Sequence, residues 1–562
     1  MSISSVESED SSLDPALPSA PALTTAPDSP PDLAVDGAAA DGQAVGEIEI
    51  AQPVALPARE GWALIALVPF DGQEPPATVT DDLATGVWCA ISALWHPSLL
   101  ARADGLPRIE SVDSPSPPGA REIRVIATGA GDRLPSGYRT QAEDARTALI
   151  ESGLDRADLI AQIQARVGAA GALEMIENEG MTTSAQVFLA LGTVRWMLRE
   201  LTVAMGHADA LDHDSLTREL LAGAHDWQKG DWASAVNRLR AGFEVMTQAR
   251  ERFYPVDAYL LDLCLLDPAV PAGSIAESLQ NPIAISFIAQ AKAIENLALQ
   301  DPQRLAALQQ AITDGWADVA GGTYSEEEDP LLPLESILWQ YRRGNDVYRI
   351  HLDDRNAETF ARRRFGLFVQ LPQFAKRFGF RFALHLALDA GRFPVPPETK
   401  RLWESPDGSS LETLFRPPLA ADRAAQGWFV PWRLAATMKN DHVAALSFVH
   451  WPQPVAPWYL DLRRAASYSP VLGRWTTLND FFHLTDRPYE AFRPEPDHYR
   501  TPYLAQVVSR REPEPIARLA RHHRLKARVE AARTTLALAR AIALSTANVT
   551  TLAGDLPESG TL

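Results

Sequence analysis

Short apolar runs alternate with helical segments across the second half of the chain, and this alternation constrains the fold more than any other feature. The runs cover residues 258–266, 283–288, 317–322, 365–370, 380–388, 411–415 and 443–449. Strands that alternate with helices predict βα units, and therefore an α/β fold with a parallel sheet or barrel. In such folds, chemistry is expected at the carboxyl ends of the strands.

Composition and periodicity divide the chain into five predicted segments. Residues 1–56 are rich in Ser, Pro, Ala and Asp and lack aromatic residues, so they bury too little apolar surface to order. The segments are a disordered acidic tail (1–56), a small α/β module (57–140), a helical region (141–252), the barrel (253–485) and a C-terminal helical segment (486–562) with a long helix over 515–544.

Charge and composition exclude several classes of protein. The 562-residue chain has a formal charge of −20, and residues 1–60 contribute half of it, with eleven acidic residues against Arg59. An acidic chain repels phosphate backbones, so no nucleic-acid partner is expected. No stretch approaches the roughly 20 apolar residues that cross a bilayer, and the N-terminus has no secretory pattern. With only Cys89 and Cys264, the chain is expected to be cytoplasmic, with its oligomeric state left open.

An acidic run follows a glycine pair at the end of one predicted strand. Gly321 and Gly322 permit a close backbone turn, and four consecutive carboxylates, Glu326 to Asp329, come next. Packed carboxylates raise one another's pKa and can divide acid and base work. The other interpretation is an exposed acidic loop, which these residues alone favour.

Two further groups of residues are candidates for chemistry. His385 and Asp389 fall on one face of the predicted strand 380–388 and its continuation, where they could form an acid/base pair. The alternative is that His385 is a hydrogen-bonded structural residue. His450 and Trp451 could offer a platform on which a sugar stacks, or they could anchor a loop.

The stretch from Trp316 to Gly344 resembles the N-terminal barrel of glycoside hydrolase family 38, the α-mannosidases. Residues at compatible spacing are Gly321, Gly322, Tyr324, Glu326, Glu328, Glu335, Ser336, Gln340 and Gly344, followed by Phe365-Gly366 and Leu371-Pro372. The resemblance covers about residues 253–485. It implies a seven-stranded (β/α) barrel of the glycoside hydrolase/deacetylase type, with an N-terminal α/β and helical extension and a C-terminal helix. It also implies action on, or binding of, α-mannosidic or related glycans, with a zinc ion that grips the sugar hydroxyls.

The chain departs from this family at the positions that carry the chemistry. The nucleophilic aspartate is expected two residues before Phe365, where this chain has Arg363. Arginine stays cationic and can neither attack an anomeric carbon nor bind zinc. The His-x-Asp that supplies zinc ligands is matched by Asp257 without its histidine, and His522-His523 are the other stand-ins. The implied zinc ligand set is therefore incomplete.

Two hypotheses follow from the resemblance and its departures. The first is an α-mannosidase-type glycosidase with Asp257, Asp389 and His385 as catalytic candidates, Asp257 also as a metal ligand, and Glu326, Glu328, His450 and Trp451 as sugar contacts. The second is a non-catalytic carbohydrate-binding or scaffolding protein that retains the barrel, which Arg363 favours. A deacetylase or family 57-like hydrolase would share the architecture, but it leaves Glu335-Ser336, Gln340 and Leu371-Pro372 unexplained.

Overall fold

The protein is described by a computed structural model that covers residues 61–69, 72–76, 78–168, 179–270, 279, 282–352, 357–389, 391–452 and 454–541. The predicted acidic tail (1–56) lies outside the described residues, as do the last residues of the helix predicted over 515–544.

The first part of the chain forms a small parallel sheet with helices. Its elements are β1 (Ala63–Val68), α1 (Asp81–Ala93), α2 (Pro97–Leu100), β2 (Arg108–Ser111), β3 (Glu122–Ile126), α3 (Tyr138–Asp144), β4 (Ala148–Glu151) and α4 (Arg156–Val167). The strand order is β2-β1-β3-β4, and each pairing is parallel. Strands and helices alternate from residue 63 to residue 167, beyond the boundary predicted at residue 140.

Three helices follow: α5 (Glu179–Met205), α6 (His213–Gln228) and α7 (Trp232–Glu251). Both α6 and α7 begin at an aspartate, because the Asp212 and Asp231 carboxylates accept hydrogen bonds from the backbone N–H groups of Ser215 (3.0 Å) and Ser234 (3.1 Å). A left-handed Gly230 (φ +82°) lies in the short turn between them. The two helices therefore form a hairpin.

The βα part contains the remaining strands and most of the predicted ones. Its elements are β5 (Ala258–Leu266), β6 (Ile285–Ala289), α8 (Ala291–Gln300), α9 (Pro302–Thr313), β7 (Ala317–Ala320), α10 (Leu334–His351), β8 (Thr359–Phe360), α11 (Leu371–Arg377), β9 (Phe382–Leu384), β10 (Lys400–Glu404), β11 (Ser410–Leu414), β12 (Leu419–Ala420), α12 (Val430–Asn440), β13 (Ala444–His450), α13 (Pro457–Ala466), β14 (Arg474–Thr476), α14 (Leu478–Leu484) and β15 (Ala491–Phe492). Two more helices, α15 (Tyr503–Ser509) and α16 (Pro515–Ala541), complete the described chain.

These strands pair in two larger sheets. One has the order β12-β13-β5-β6-β7, with β14 also paired to β5, and every pairing in it is parallel. The other has the order β15-β10-β11-β9-β8 and is parallel except for the β10–β11 hairpin. A single parallel bridge between Gly321 and Phe360 joins the ends of β7 and β8. The α/β class is confirmed, but the pairings of the described residues leave the sheets open, so the seven-stranded barrel is not confirmed.

The strand predicted over residues 365–370 is wrong. Extended pairing occurs earlier, in the two-residue β8, and residues 361–370 form bends and turns. At its start, the Arg362 side chain folds back and donates to the backbone carbonyl oxygens of Arg364 (2.8 Å) and Phe365 (3.3 Å). A strand there would have to offer those carbonyls to a neighbouring strand instead.

The three regions share buried surface. Trp88 of α1 packs edge-on against Trp196 of α5, with ring centroids 5.1 Å apart, and lies 6.4 Å from Trp458 of α13. The Asp461 carboxylate accepts hydrogen bonds from Arg156 (2.6 Å) and Thr193 (2.8 Å), which come from α4 and α5. The α13 helix is therefore held by both preceding regions, while the predicted domain boundaries stay predictions.

None of the described helices is long and apolar enough to span a membrane.

Replacing the central aromatic of this shared core, Trp458→Ala, is expected to destabilise the protein by about 3–5 kcal/mol, because a fully buried indole is lost and a cavity remains. Urea or thermal unfolding measures the change. Tyr489→Ala, at a ring that is 99% exposed, is the matched control and should leave stability unchanged within about 0.5 kcal/mol. An equal effect of both variants would contradict the shared core.

Candidate functional site

A cavity of about 660 Å³ opens where the parallel strands of the βα part end. It is lined by Leu265, Asp267, Arg363, Arg364, Leu388, Asp389, Ala420, Asp422, Val449, His450, Trp451, Gln506 and Arg510. Most of these residues lie at or just beyond the carboxyl ends of β5, β8, β9, β12 and β13. This is the edge at which ligands bind in α/β folds, so we take the cavity as the candidate site.

A buried ion pair fixes the backbone beside this cavity. The Arg362 guanidinium donates to the Asp329 carboxylate at 2.8 Å, and both side chains are almost fully excluded from water. Burial raises the pKa of Asp329 to about 6, so the carboxyl group is still mostly ionised at neutral pH. Arg362 also donates to the backbone carbonyl of Glu327. The pair therefore ties the loop after β8 to the acidic run after β7.

The neighbouring Arg363 lies in the cavity itself. Its guanidinium donates to the Asp267 carboxylate, its Nε is 3.7 Å from an oxygen of Glu326, and it lies 5.2 Å from the centre of the Trp451 ring. The Glu326 carboxylate also accepts the backbone N–H groups of Arg363 (2.8 Å) and Arg364 (3.1 Å). Arg363 thus places a fixed positive charge between two carboxylates and the face of an aromatic ring.

A second buried network supports the opposite wall. His450 lies between the backbone carbonyl of Trp451 (Nδ1–O 2.6 Å) and the Asp262 carboxylate (Nε2–Oδ1 2.8 Å). Arg463 donates to the other oxygen of Asp262. Burial lowers the pKa of His450, and the Trp451 carbonyl and the Asp422 carboxylate oppose this shift. These contacts hold the imidazole, and with it the backbone of Trp451, in one orientation.

The acidic run is not an exposed loop. Glu326, Glu328 and Asp329 are at most 7% exposed, and burial raises the pKa of Glu327 and Glu328. The exposed-loop interpretation is therefore wrong. The carboxylates can be buried because each accepts a hydrogen bond: Glu328, for example, from the Thr501 hydroxyl, and Asp329 from Arg362.

The glycine pair before this run serves close packing. A Cβ on Gly321 would lie 2.1 Å from the Tyr348 hydroxyl, and one on Gly322 would lie 2.4 Å from the Phe360 ring. Gly344 of α10 in turn packs on the backbone of Gly322. The glycines thus allow α10 and β8 to approach the end of β7, from which the acidic run starts.

Several predicted site residues meet in the cavity. Asp389, His450 and Trp451 line it, and Glu326 lies behind Arg363. Asp389 accepts the backbone N–H of Phe365 at 3.0 Å, which links the end of β9 to the loop after β8. Glu328 is bonded to Thr501 and is not among the lining residues.

His385 does not reach the cavity. It is fully buried in an aromatic cage that includes Trp403 (ring centroids 4.5 Å apart) and Phe415 (5.0 Å), and its Nε2 is 2.9 Å from the Tyr499 hydroxyl. Burial lowers the pKa of His385 to about 3, so the imidazole is neutral at physiological pH. This placement fits the structural alternative and not an acid/base pair with Asp389.

Asp257 lies at the wrong end of its strand. It is exposed and directly precedes β5, whereas the cavity is at the carboxyl end of β5, where Asp267 lies. His522 and His523 are on α16, within reach of Ser336 (3.3 Å) and the Leu331 carbonyl (2.9 Å) respectively. The structure therefore does not bring together the three residues expected as zinc ligands.

Sequence reasoning missed Asp267, Arg364, Asp422, Gln506 and Arg510, all of which line the cavity. A signal existed for the first: Asp267 directly follows the strongest apolar run, and Pro268 ends that strand. Asp422 likewise follows an apolar stretch, although β12 is only two residues long. Gln506 and Arg510 come from a C-terminal helix that no strand pattern places near this edge.

The residues present do not fit the zinc ion that the resemblance implies. In the described part of the chain, no group of three or more His, Cys, Asp or Glu side chains is arranged to hold a metal. The residue two positions before Asp267 is Leu265, and the Asp267 carboxylate is already paired with the Arg363 cation. A fixed cation at that carboxylate repels a second one.

Comparison with known proteins agrees with the motif. Residues 274–443 match the family model described as glycosyl hydrolases family 38 N-terminal domain. This segment of the chain is similar to family 38. The matched residues of this family 38-like segment run from shortly after β5 to the start of β13 and include the acidic run, the arginine triplet and Asp389.

A curated relative is alpha-mannosidase G of Dictyostelium discoideum, 27% identical over 128 residues. The aligned part is 23% of this chain and 12% of the relative, so the chain spans only a small part of that protein. Among solved structures, an alpha-mannosidase from Enterococcus faecalis V583 superposes with a TM-score of 0.34 and 14% identity, covering 42% of this chain and 30% of that one. A GH57-type branching enzyme from Pyrococcus horikoshii gives 0.29 and 12%, covering 42% and 73%.

The buried pair beside the site can be tested by removing one partner. Arg362→Met is expected to cost about 3–5 kcal/mol of stability, because it leaves the Asp329 carboxylate buried without a counter-charge. The double variant Arg362→Met/Asp329→Leu removes both charges and should recover part of that loss. Chemical unfolding of the wild type, both single variants and the double variant measures the coupling. Additive losses would show that the two side chains do not act as a pair.

Proposed function

We propose that the cavity at the carboxyl ends of the strands binds an α-mannosidic or related glycan without cleaving it. The observation that carries the proposal is the position of Arg363, which is paired with Asp267 and Glu326 and lies over Trp451. The family 38-like segment supports a carbohydrate as ligand. Arg363 supports binding over hydrolysis.

The lining of the cavity has the chemistry that a sugar requires. Asp389 and Asp422 offer acceptors to sugar hydroxyls, while Arg364, Gln506 and Arg510 offer donors. Trp451, which is half-buried, offers the aromatic surface on which the apolar face of a pyranose packs. A small number of placed polar groups around an aromatic side chain is typical of small-molecule sites.

Hydrolysis is disfavoured because the group at the expected nucleophile position is a cation. The Arg363 guanidinium has no lone pair to attack an anomeric carbon and stays protonated. It also neutralises Asp267, which is the carboxylate nearest to it. An oxocarbenium-like transition state needs negative charge close by, and a fixed guanidinium would raise its energy.

The second candidate function is a glycosidase that uses other carboxylates. Asp389 and Asp422 both line the cavity and come from the ends of two different strands. A pair of carboxylates on opposite sides of a glycosidic bond is the minimum for acid and base catalysis. This arrangement is the specific observation that favours hydrolysis.

We also propose that the two larger sheets are parts of the seven-stranded barrel implied by the resemblance. Support comes from both ends of the sheets. The Gly321–Phe360 bridge joins β7 to β8, and β12, the edge strand of one sheet, begins only four residues of chain after β11 of the other sheet. The strands would then follow one another around a ring.

The binding proposal predicts saturable binding of methyl α-mannoside or α-linked mannobioses, measured by titration calorimetry. Trp451→Ala should weaken that binding at least tenfold, because the stacking surface and the support for Arg363 are both lost. Trp339→Ala is the matched control: this indole packs on Tyr324, outside the cavity, and its loss should leave the affinity unchanged.

The same protein should show no turnover of aryl α-mannosides or aryl α-glucosides. Turnover that disappears in Asp389→Asn but survives in Trp339→Ala would contradict the binding-only proposal and establish the glycosidase. If the protein binds none of the α-mannosides and α-glucosides in the panel, both candidate functions are contradicted.

A further inference from the structure

A second cavity of about 540 Å³ adjoins the candidate site. The two cavities share Gln506, in the middle of α15, and Arg510, which directly follows that helix. The two cavities are therefore adjacent, with these two side chains at their common boundary. The second cavity is lined by polar donors and small residues, and no carboxylate is among its lining residues.

Two of the lining arginines are held directly opposite each other. Arg392 and Arg500 form an isolated antiparallel bridge, with reciprocal backbone hydrogen bonds of 3.0 Å and 2.8 Å. Residues paired in this way project their side chains from the same face of the ladder, with Cα atoms about 5.5 Å apart. Like charges at such a position repel each other and destabilise the pairing.

Both side chains are exposed, so water and not a protein carboxylate screens this repulsion. Neither Arg392 nor Arg500 makes an ion pair with a described carboxylate, and Arg500 Nε has only a 3.4 Å contact with the Asp497 carbonyl. A third arginine, Arg510, reaches Glu512 only at 3.7 Å. The Glu328 carboxylate lies behind the wall and is bonded to the Thr501 hydroxyl.

We propose that this second cavity binds an oxyanion, a phosphate or carboxylate group carried by the glycan whose sugar ring occupies the first cavity. The inference rests on the proposed function, and it specifies the substrate class as an acidic glycan. Guanidinium groups bind phosphate and carboxylate through paired N–H donors, and three of them converge on one cavity here. An anion placed between Arg392 and Arg500 would remove their mutual repulsion.

The remaining polar groups fit the same ligand. Ser509 and Gln506 supply a hydroxyl and an amide N–H to the lining, and both can donate to an oxyanion. Because Gln506 and Arg510 belong to both cavities, they lie where the sugar ring and its charged substituent would join. An arginine pair alone would attract any anion, whereas the adjacent sugar cavity favours an anion that is attached to a sugar.

The test compares neutral and charged sugars on the full chain. Binding of methyl α-mannoside, mannose 6-phosphate and mannuronate is measured by titration calorimetry at low and at 0.5 M salt. We expect at least one anionic sugar to bind tenfold or more tightly than the neutral one, and this gain to shrink in high salt. The two anionic sugars distinguish a phosphate from a carboxylate as the preferred group.

Arginine variants then show which residues cause the higher affinity for the anionic sugar. Arg392→Gln and Arg500→Gln should each remove most of the preference for the anionic sugar while leaving the affinity for methyl α-mannoside unchanged. The control Arg487→Gln removes an exposed arginine that lines neither cavity and should retain the preference. Inorganic phosphate should compete with the anionic sugar in the wild type and not in the Arg500→Gln variant.

Different results would overturn the proposed function and the acidic-glycan inference. No binding of any sugar would overturn the proposed function, and inorganic phosphate binding that depends on Arg392 and Arg500 would still report an anion site. Neutral-sugar binding with no gain for either anionic sugar would overturn the acidic-glycan inference alone. A gain that persists in both arginine variants would also overturn it, because the anion would then bind elsewhere.

Discussion

The buried pair of Arg362 and Asp329 is the constraint on which the site depends. Taking two opposite charges out of water is costly, and the pair is tolerated only because the guanidinium also donates to nearby backbone carbonyls. Those carbonyls belong to the loop after β8 and to the acidic run after β7. Satisfying one arginine therefore fixes two loops at once. Arg363 and its contacts with Asp267 and Glu326 inherit their position from that arrangement.

Three consecutive arginines consequently have three different environments. Arg362 is buried and structural, Arg363 forms one wall of the cavity, and the backbone N–H of Arg364 is bound by Glu326 while its side chain also lines the cavity. The acidic run that faces them, Glu326 to Asp329, can be buried because each of its carboxylates accepts a hydrogen bond. Opposite charges that are far apart in the sequence meet at the ends of two neighbouring strands, and the formal charge of the whole chain says nothing about this local balance.

Sequence patterns were sufficient for elements whose apolar residues decide the structure. The β5 strand has the predicted bounds, and β13 differs by one residue at each end, because both are buried apolar runs in the middle of a sheet. They failed over residues 365–370, where a charged side chain, Arg362, takes the backbone carbonyls of Arg364 and Phe365. Among the predicted site residues, Asp389, His450 and Trp451 lie at or beyond the ends of strands and line the cavity. The family motif points to Asp257 by residue order alone, but Asp257 precedes β5, whereas Asp267 follows it and reaches the cavity. Arg510 approaches from a distant helix, which no local pattern indicates.

The contacts of Arg363 also bear on how a chain such as this one could change in evolution. The guanidinium is the counter-charge for Asp267 and is close to Glu326, so an aspartate at position 363 would place three carboxylates together with no cation between them. Arg363→Asp alone is therefore expected to be unfavourable. An aspartate at this position would be accommodated only together with another positive charge, such as a bound metal, and that in turn would need ligands that this edge of the sheet lacks among the described residues. The residue at position 363 and the metal ligand set are therefore linked: a change in one is unfavourable unless the other changes as well.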